Sequence, residues 1–152
     1  MAQEHYYDVS VQWTEDRKGI LTSDVLEKEI EVATPPQFAK GVEGVWSPEH
    51  LFVAAINSCL MTTFLAIAEN SRLAFKTFHS KGVGKLELVE GRYLMSEVVL
   101  SPVLVVLNEA DSEKALRVLQ KAEAACLISN SVKTKVILQP TITTEMTYAG
   151  DQ

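Results

Sequence analysis

The sequence predicts an α+β fold with two main helices packed on antiparallel sheet. Three observations carry that prediction. In "LEKEIEV" (26–32), Leu26, Ile30 and Val32 share one parity and Glu27, Glu29 and Glu31 the other, which is the alternation of a half-exposed antiparallel strand. Residues 47–70 form a long apolar run with a helix-start signature. Residues 75–90 and 92–107 are two long strand-like runs separated by a turn.

Taken in order, "HYYDVSVQW" (5–13) is rich in aromatic and β-branched residues and predicts a strand. "TEDRKG" (14–19) is polar and ends in glycine, so it predicts a turn before the strand at 26–32. "ATPPQFAKGVEGVW" (33–46) holds two prolines and two glycines and predicts a loop. Ser47 then fits an N-cap, and Pro48 the first helical position, where its missing N–H costs nothing. Glu49 falls in the first turn, where the helix dipole favours an acid. The helix runs to about Asn70 and is apolar on nearly every side, so it should be surrounded by protein. "VEGRY" (89–93), with Gly91 near its tip, joins the two long strands. "NEADSEKALRVLQKAEAAC" (108–126) predicts a second helix, capped by Asp111 or Ser112, with Leu116, Leu119, Ala122 and Cys126 at helical spacing. The segment 131–148 supplies one or two more strands. No repeat or linker divides the chain, so residues 1–152 are expected to form a single domain.

The totals narrow the function. A chain of 152 residues with 47% hydrophobic and 22% charged residues can bury a sizeable core. A net charge of −6, with no dense Lys/Arg run, argues against nucleic acid or an anionic membrane as partner. The N-terminus carries acids and no apolar core, so it does not read as a secretory signal. The stretch 51–68 approaches the length of a membrane span, but it contains Asn57, Ser58, Thr62 and Thr63 and is flanked by Glu49 and Glu69; a buried helix is the expectation. Two cysteines are too few for a secreted disulfide framework, which favours the cytoplasm.

Cys59 and Cys126 lie 67 positions apart, a spacing that matches neither CxxC nor a zinc pattern. With only His5, His50 and His79 besides, no metal is expected. Each cysteine by itself also reads as a small core residue, since free cysteine is commonly buried. Reactivity would require a thiolate, with a pKa brought below the free value of about 8.5. Cys59 is too deep in its helix for the dipole to do this. An arginine could, and Arg17, in a polar turn, is the candidate; it also reads as a solvated turn charge.

"SPEHLFVAAINSCL" (47–60) resembles the helix signature of the OsmC/organic hydroperoxide resistance family, with Pro-Glu, an apolar run and then Cys. "CLISNSVKTKVILQPTI" (126–142) resembles its second-cysteine segment, and "EDRKGILTSD" (15–24) its arginine loop. Leu127 stands where many members have Pro, and "CLISNS" is closest to the OsmC-like branch. The resemblance implies an intertwined homodimer whose sheet wraps the central helices. It implies a thiol peroxidase, acting on organic hydroperoxides and hydrogen peroxide in oxidative-stress defence, with no metal, flavin or other cofactor. Cys59 would be the peroxidatic thiolate and Cys126 the resolving cysteine. Arg17 would stabilise the thiolate, and Glu49 would hold Arg17. A dithiol, a lipoyl group being the family's kind, would reduce the disulfide.

Glu49 and Cys59, ten residues apart on one helix, are separated by about 15 Å along its axis and by about 80° around it. Arg17 and Glu49 of one subunit are therefore expected to serve Cys59 of the other. Two other readings stay open. One is a non-catalytic dimer that holds a small hydrophobic ligand, with Phe52, Ile56, Leu60, Phe64, Ile67, Phe38 and Trp46 as core or pocket residues. The other is a Cys59 hydrolase with His50 as base, although nine residues, about 13.5 Å of helix, separate that pair.

Overall fold

A computed structural model describes residues 3–145. Contacts within the chain group it into two compact units, residues 1–51 and 52–152.

The first unit is a three-stranded antiparallel sheet in the order β1 (Ser10–Glu15), β2 (Lys18–Ser23), β3 (Leu26–Ala33). The expected strand at 5–13 starts later, and the expected turn at 14–19 shrinks to Asp16 and Arg17. The reason is local. Asp16 adopts φ +48, a left-handed value that aspartate tolerates, and such values close two-residue hairpins. The indole N–H of Trp13 donates to the Asp16 carbonyl at 3.0 Å and braces the turn. Gly19 is thus a strand residue rather than a turn residue. It pairs with Trp13, and a Cβ there would lie 2.9 Å from the Gln12 carbonyl oxygen. Leu26 and Ile30 of β3 are exposed in the single chain, so the predicted apolar face is present but uncovered.

Helix α1 (Pro48–Asn70) starts where the capping signals place it. Ser47 is fully buried, and its Oγ accepts the His50 backbone N–H at 3.1 Å, as an N-cap does. Its hydroxyl also bonds His50 Nδ1 at 2.7 Å, so that ring is tied to the cap.

The second unit holds the core. β4 (Phe75–Val89) and β5 (Arg92–Val106) form a long antiparallel hairpin, turning at Glu90 and Gly91. After a short 3-10 turn (Glu109–Asp111), helix α2 (Ser112–Ala125) leads to β6 (Lys135–Leu138) and β7 (Thr141–Thr144). Both of these strands lie parallel to β5, at Glu97–Leu100 and Val103–Val106 respectively. The expected antiparallel pairing holds for β1–β2, β2–β3 and β4–β5, and β6 and β7 add parallel pairs to it. A helical crossover returns the chain to the end of the sheet where β5 started, so the next strand runs the same way. Gln139 and Pro140 separate the two strands, since proline brings no N–H to a ladder.

One stripe of α1, Ile56, Leu60, Phe64 and Ala68, is buried in this core. Phe64 stacks on Phe78 at 5.0 Å and meets Phe75 edge-on at 5.2 Å. Asn57 locks the helix to β4: its amide donates to the Ser80 carbonyl at 2.8 Å and its carbonyl accepts the Ser80 hydroxyl at 2.6 Å. β4 comes close enough that a Cβ on Gly84 would sit 2.5 Å from a Val53 methyl. The rest of α1 is not surrounded as expected, and Met61 and Leu65 are exposed. By length and composition α1 could also cross a membrane. In α2 the buried stripe is Ala115, Val118, Leu119 and Ala122. Leu116, expected inside, turns outward, because the stripe that ends on Cys126 runs through residue 115 rather than 116.

Candidate active site

Both cysteines belong to the second unit and both are free thiols. Cys59 lies beside the buried stripe of α1 and is half-buried. Cys126 is the C-cap of α2 and is completely buried. The α2 stripe delivers it inward, and its thiol comes within hydrogen-bonding reach of Cys59.

The chain then folds tightly over the pair. Cys126 has an extended backbone, φ −64 and ψ 114, and residues Ser129–Ser131 form a 3-10 turn. The Asn130 N–H donates to the Cys126 carbonyl at 3.0 Å, the Asn130 side-chain amide to the Ala124 carbonyl at 3.1 Å, and the Ser131 hydroxyl to the Leu127 carbonyl at 2.8 Å. This turn aims the backbone N–H groups of Leu127 and Ile128 at the Cys59 sulfur. From α1 itself, the Thr63 hydroxyl lies 3.8 Å from that sulfur, one turn along the helix.

These contacts split the two thiols. Burial pushes the Cys59 thiol up, but hydrogen bonds from the Cys126 thiol, the Ile128 amide, the Thr63 hydroxyl and the Leu127 amide outweigh it and bring the thiol below its ordinary value. Cys126 moves the opposite way. Burial raises it, as does the hydrogen bond it gives to Cys59, while the Ser129 hydroxyl and amide pull it down without reversing the sign. The surroundings thus favour the charged form on Cys59 and the protonated form on Cys126. The lowering of Cys59 arises wholly from hydrogen-bond donors, none of them a charged side chain.

Arg17 and Glu49, the other expected site residues, belong to the first unit. Arg17 is exposed at the tip of the β1–β2 hairpin and borders an open cavity of about 470 Å³ lined also by Val11, Trp13, Val32, Ala33 and Pro48. No ion pair joins Arg17 to Glu49; the ion pairs among the described residues are Lys76–Glu145 and Lys85–Glu87. Glu49 Oε1 is instead buried with no hydrogen-bond partner. Of the residues expected to line a pocket, Ile56, Leu60 and Phe64 are core, Phe52 and Ile67 pack on that core, and Trp46 borders a separate open cavity with His50. Among the described residues, no three His, Cys, Asp or Glu side chains gather as a metal site.

Sequence reasoning missed Thr63 and the amides of Leu127 and Ile128. Thr63 was open to detection, since it lies four residues after Cys59 on a helix. The amides were not, because any residue but proline has an N–H. That exception gives a test. Leu127 is 70% exposed, and the extended backbone of Cys126 suits a residue before proline, so Leu127→Pro removes one donor with little strain. We expect it to raise the pH midpoint of Cys59 alkylation and to slow alkylation at neutral pH, with the melting temperature nearly unchanged. An unmoved midpoint would show that the Leu127 amide does not hold the thiolate.

The sequence profile of the family described as "OsmC-like protein" matches residues 41–141, a span that includes both cysteines and Glu49. An uncharacterised protein of Bacillus subtilis strain 168, YmaD, is 23% identical over 142 residues, which are 91% of this chain and 93% of that one. An OsmC-like protein of unknown function from Vibrio cholerae superposes with a TM-score of 0.81 at 25% identity, over 90% of this chain and 99% of that chain. An organic hydroperoxide resistance protein from Elizabethkingia anophelis superposes with a TM-score of 0.72 at 18% identity, over 95% and 100%, which shows a shared fold. With a profile match over about two thirds of its length and this arrangement of helices, strands and paired thiols, the chain belongs to the OsmC-like protein family.

Proposed function

We propose that this protein is a cytoplasmic thiol peroxidase that reduces organic hydroperoxides, and hydrogen peroxide as a lesser substrate, in defence against oxidative stress. One observation supports the reading: a half-buried free thiol on α1 and a fully buried free thiol at the end of α2 lie close enough to act on each other, and their surroundings push the first down and the second up. A core pair with no chemistry to perform has no need of that order. The Cys59 thiolate attacks the terminal oxygen of the hydroperoxide, the O–O bond breaks, and the alkoxide leaves and takes up a proton to become the alcohol. Cys59 is now a sulfenic acid. The Cys126 thiol condenses with it, forming the disulfide and releasing water. A dithiol of the lipoyl type then reduces the disulfide and is itself oxidised to a cyclic disulfide.

In this proposal the chain acts as a single domain and works as a homodimer. Arg17 and Glu49 of one copy complete the site around Cys59 of the other, Glu49 clamping the guanidinium that polarises the peroxide. The buried, unpartnered Glu49 Oε1 supports Arg17 of its own copy closing onto it, because an unpaired buried carboxylate oxygen is costly. The apolar side chains exposed on β1, β3 and α1 (Val11, Trp13, Leu26, Ile30, Met61 and Leu65) support a second copy as cover.

The deciding experiment is consumption of cumene hydroperoxide with dihydrolipoamide as reductant, alongside sedimentation. We expect multiple turnovers by a dimer, and no turnover by the native protein would end the peroxidase reading. A second reading, ligand binding without turnover, is favoured by the apolar cavity beside Arg17, whose volume suits a small molecule. It predicts a co-purifying hydrophobic ligand, seen by native mass spectrometry, together with an inactive protein.

A further inference from the structure

Ser129 carries a buried hydroxyl for which the fold has no use. Its Oγ is shut off from solvent and has no full hydrogen-bond partner. The turn that contains it is held by other groups: the Asn130 N–H on the Cys126 carbonyl, the Asn130 amide on Ala124, the Ser131 hydroxyl on Leu127 and the Ser131 N–H on the Ile128 carbonyl at 3.0 Å. A buried hydroxyl left without a partner is a net cost, so its retention calls for a state in which it has one. Three residues after Cys126, it lies on the inner side of the turn that closes over that sulfur.

We infer that Ser129 is the positioning residue of the resolving step, its hydroxyl turning to donate a hydrogen bond to the Cys126 sulfur when that sulfur becomes a thiolate. The inference rests on the peroxidase reading for the step it serves, but not for the contact itself. While Cys59 is a thiolate, the Cys126 proton lies between the two sulfurs, and the Ser129 hydroxyl acts on the Cys126 sulfur without a formed hydrogen bond to it. Once Cys59 is a sulfenic acid, that acceptor charge is gone. Cys126 must then release its proton to attack the Cys59 sulfur, with the S–S bond forming as the S–O bond breaks and the departing hydroxide leaving as water. The Cys126 sulfur is completely buried, and among the described residues the titratable group acting on it is Cys59, with no lysine, arginine or histidine. A neutral donor has to hold the charge, and the Ser129 hydroxyl and amide are the groups in place. The same contact serves reduction, when an external thiolate attacks Cys59 and Cys126 leaves as the thiolate.

The test has two arms. In a Cys59→Ser background the chain has a single cysteine, and its ¹³Cβ chemical shift followed against pH reports Cys126 alone. Adding Ser129→Ala should move that midpoint upward, and Ser129→Thr should restore it. An unmoved midpoint overturns the inference, whatever the activity of the protein. In the two-cysteine chain, after one equivalent of hydroperoxide, Ser129→Ala should slow disulfide formation about ten-fold, the worth of one hydrogen bond to a charged acceptor. Sulfenic acid formation, read separately by dimedone capture, is the internal reference. A disulfide formed at the parent rate, or both steps slowed together along with a lowered Tm, overturns the role. If the parent consumes no peroxide, the peroxidase reading fails, and the chemical-shift arm still decides the contact.

Discussion

If the proposed peroxidase chemistry holds, Cys59→Ser should abolish hydroperoxide turnover, while Cys126→Ser should permit one oxidation and then stop. The contrast follows from the division of labour between the two thiols. A serine hydroxyl at 59 is not ionised at neutral pH under the same donors, so the O–O bond meets no nucleophile, and loss should exceed about a thousand-fold. Serine at 126 keeps a donor near the Cys59 sulfur, so a thiolate still forms and still reacts once. It cannot make a disulfide, so the product is a sulfenic acid that dimedone traps quantitatively or that external thiol caps as a mixed disulfide. Mass spectrometry distinguishes the adducts. The pH dependence has a definite sign: the Cys59 midpoint lies below the ordinary thiol value, so the parent's oxidation rate climbs with pH and levels off before a free thiol's would. Turnover by Cys59→Ser at the parent rate would place the chemistry elsewhere.

Phe64→Ala should be the most damaging single change to stability. The ring is fully buried at the centre of the second unit, stacked on Phe78 and edge-on to Phe75, on the stripe that anchors α1. Removing it loses the transfer energy and leaves a cavity between helix and sheet, at a cost of about 3–5 kcal/mol. That is a large share of the roughly 5–15 kcal/mol by which a domain is stable. Cys59, five residues earlier on the same helix, should gain mobility, so thiol labelling and denaturant unfolding should change together. A shift in the urea midpoint equivalent to less than about 1 kcal/mol would mean that the site relaxes around the void.

Periodicity made the large elements legible. Helix α1, its Ser47 cap and the hairpin of β4 and β5 lie where local signals put them, because each signal is written in adjacent residues. The β1–β2 hairpin was hidden, because two polar residues can turn a chain as well as six when the first tolerates positive φ. The parallel pairing of β6 and β7 was hidden for another reason: direction depends on a crossover, which is a property of the whole connection rather than of either strand. At the site, the cysteines were legible through resemblance, whereas the donors that set their acidity are largely backbone groups, which carry no residue-specific mark. Arg17 drew attention because it is a charge, yet the acidity of Cys59 within one chain is accounted for by neutral donors.

The break between β6 and β7 bears on how the protein behaves in a crowded solution. A continuous strand on that side of β5 would present on its outer edge about half of its ten residues' amides, roughly five, as a template on which another chain could grow. Two four-residue pieces separated by Gln139 and Pro140 present none of that length. The proline carries no donor, and Gln139 spends its N–H inward on the Leu100 carbonyl at 2.8 Å. An interruption of this kind should guard the sheet against fibrous self-association, and Pro140→Val should aggregate faster than the parent when followed by light scattering.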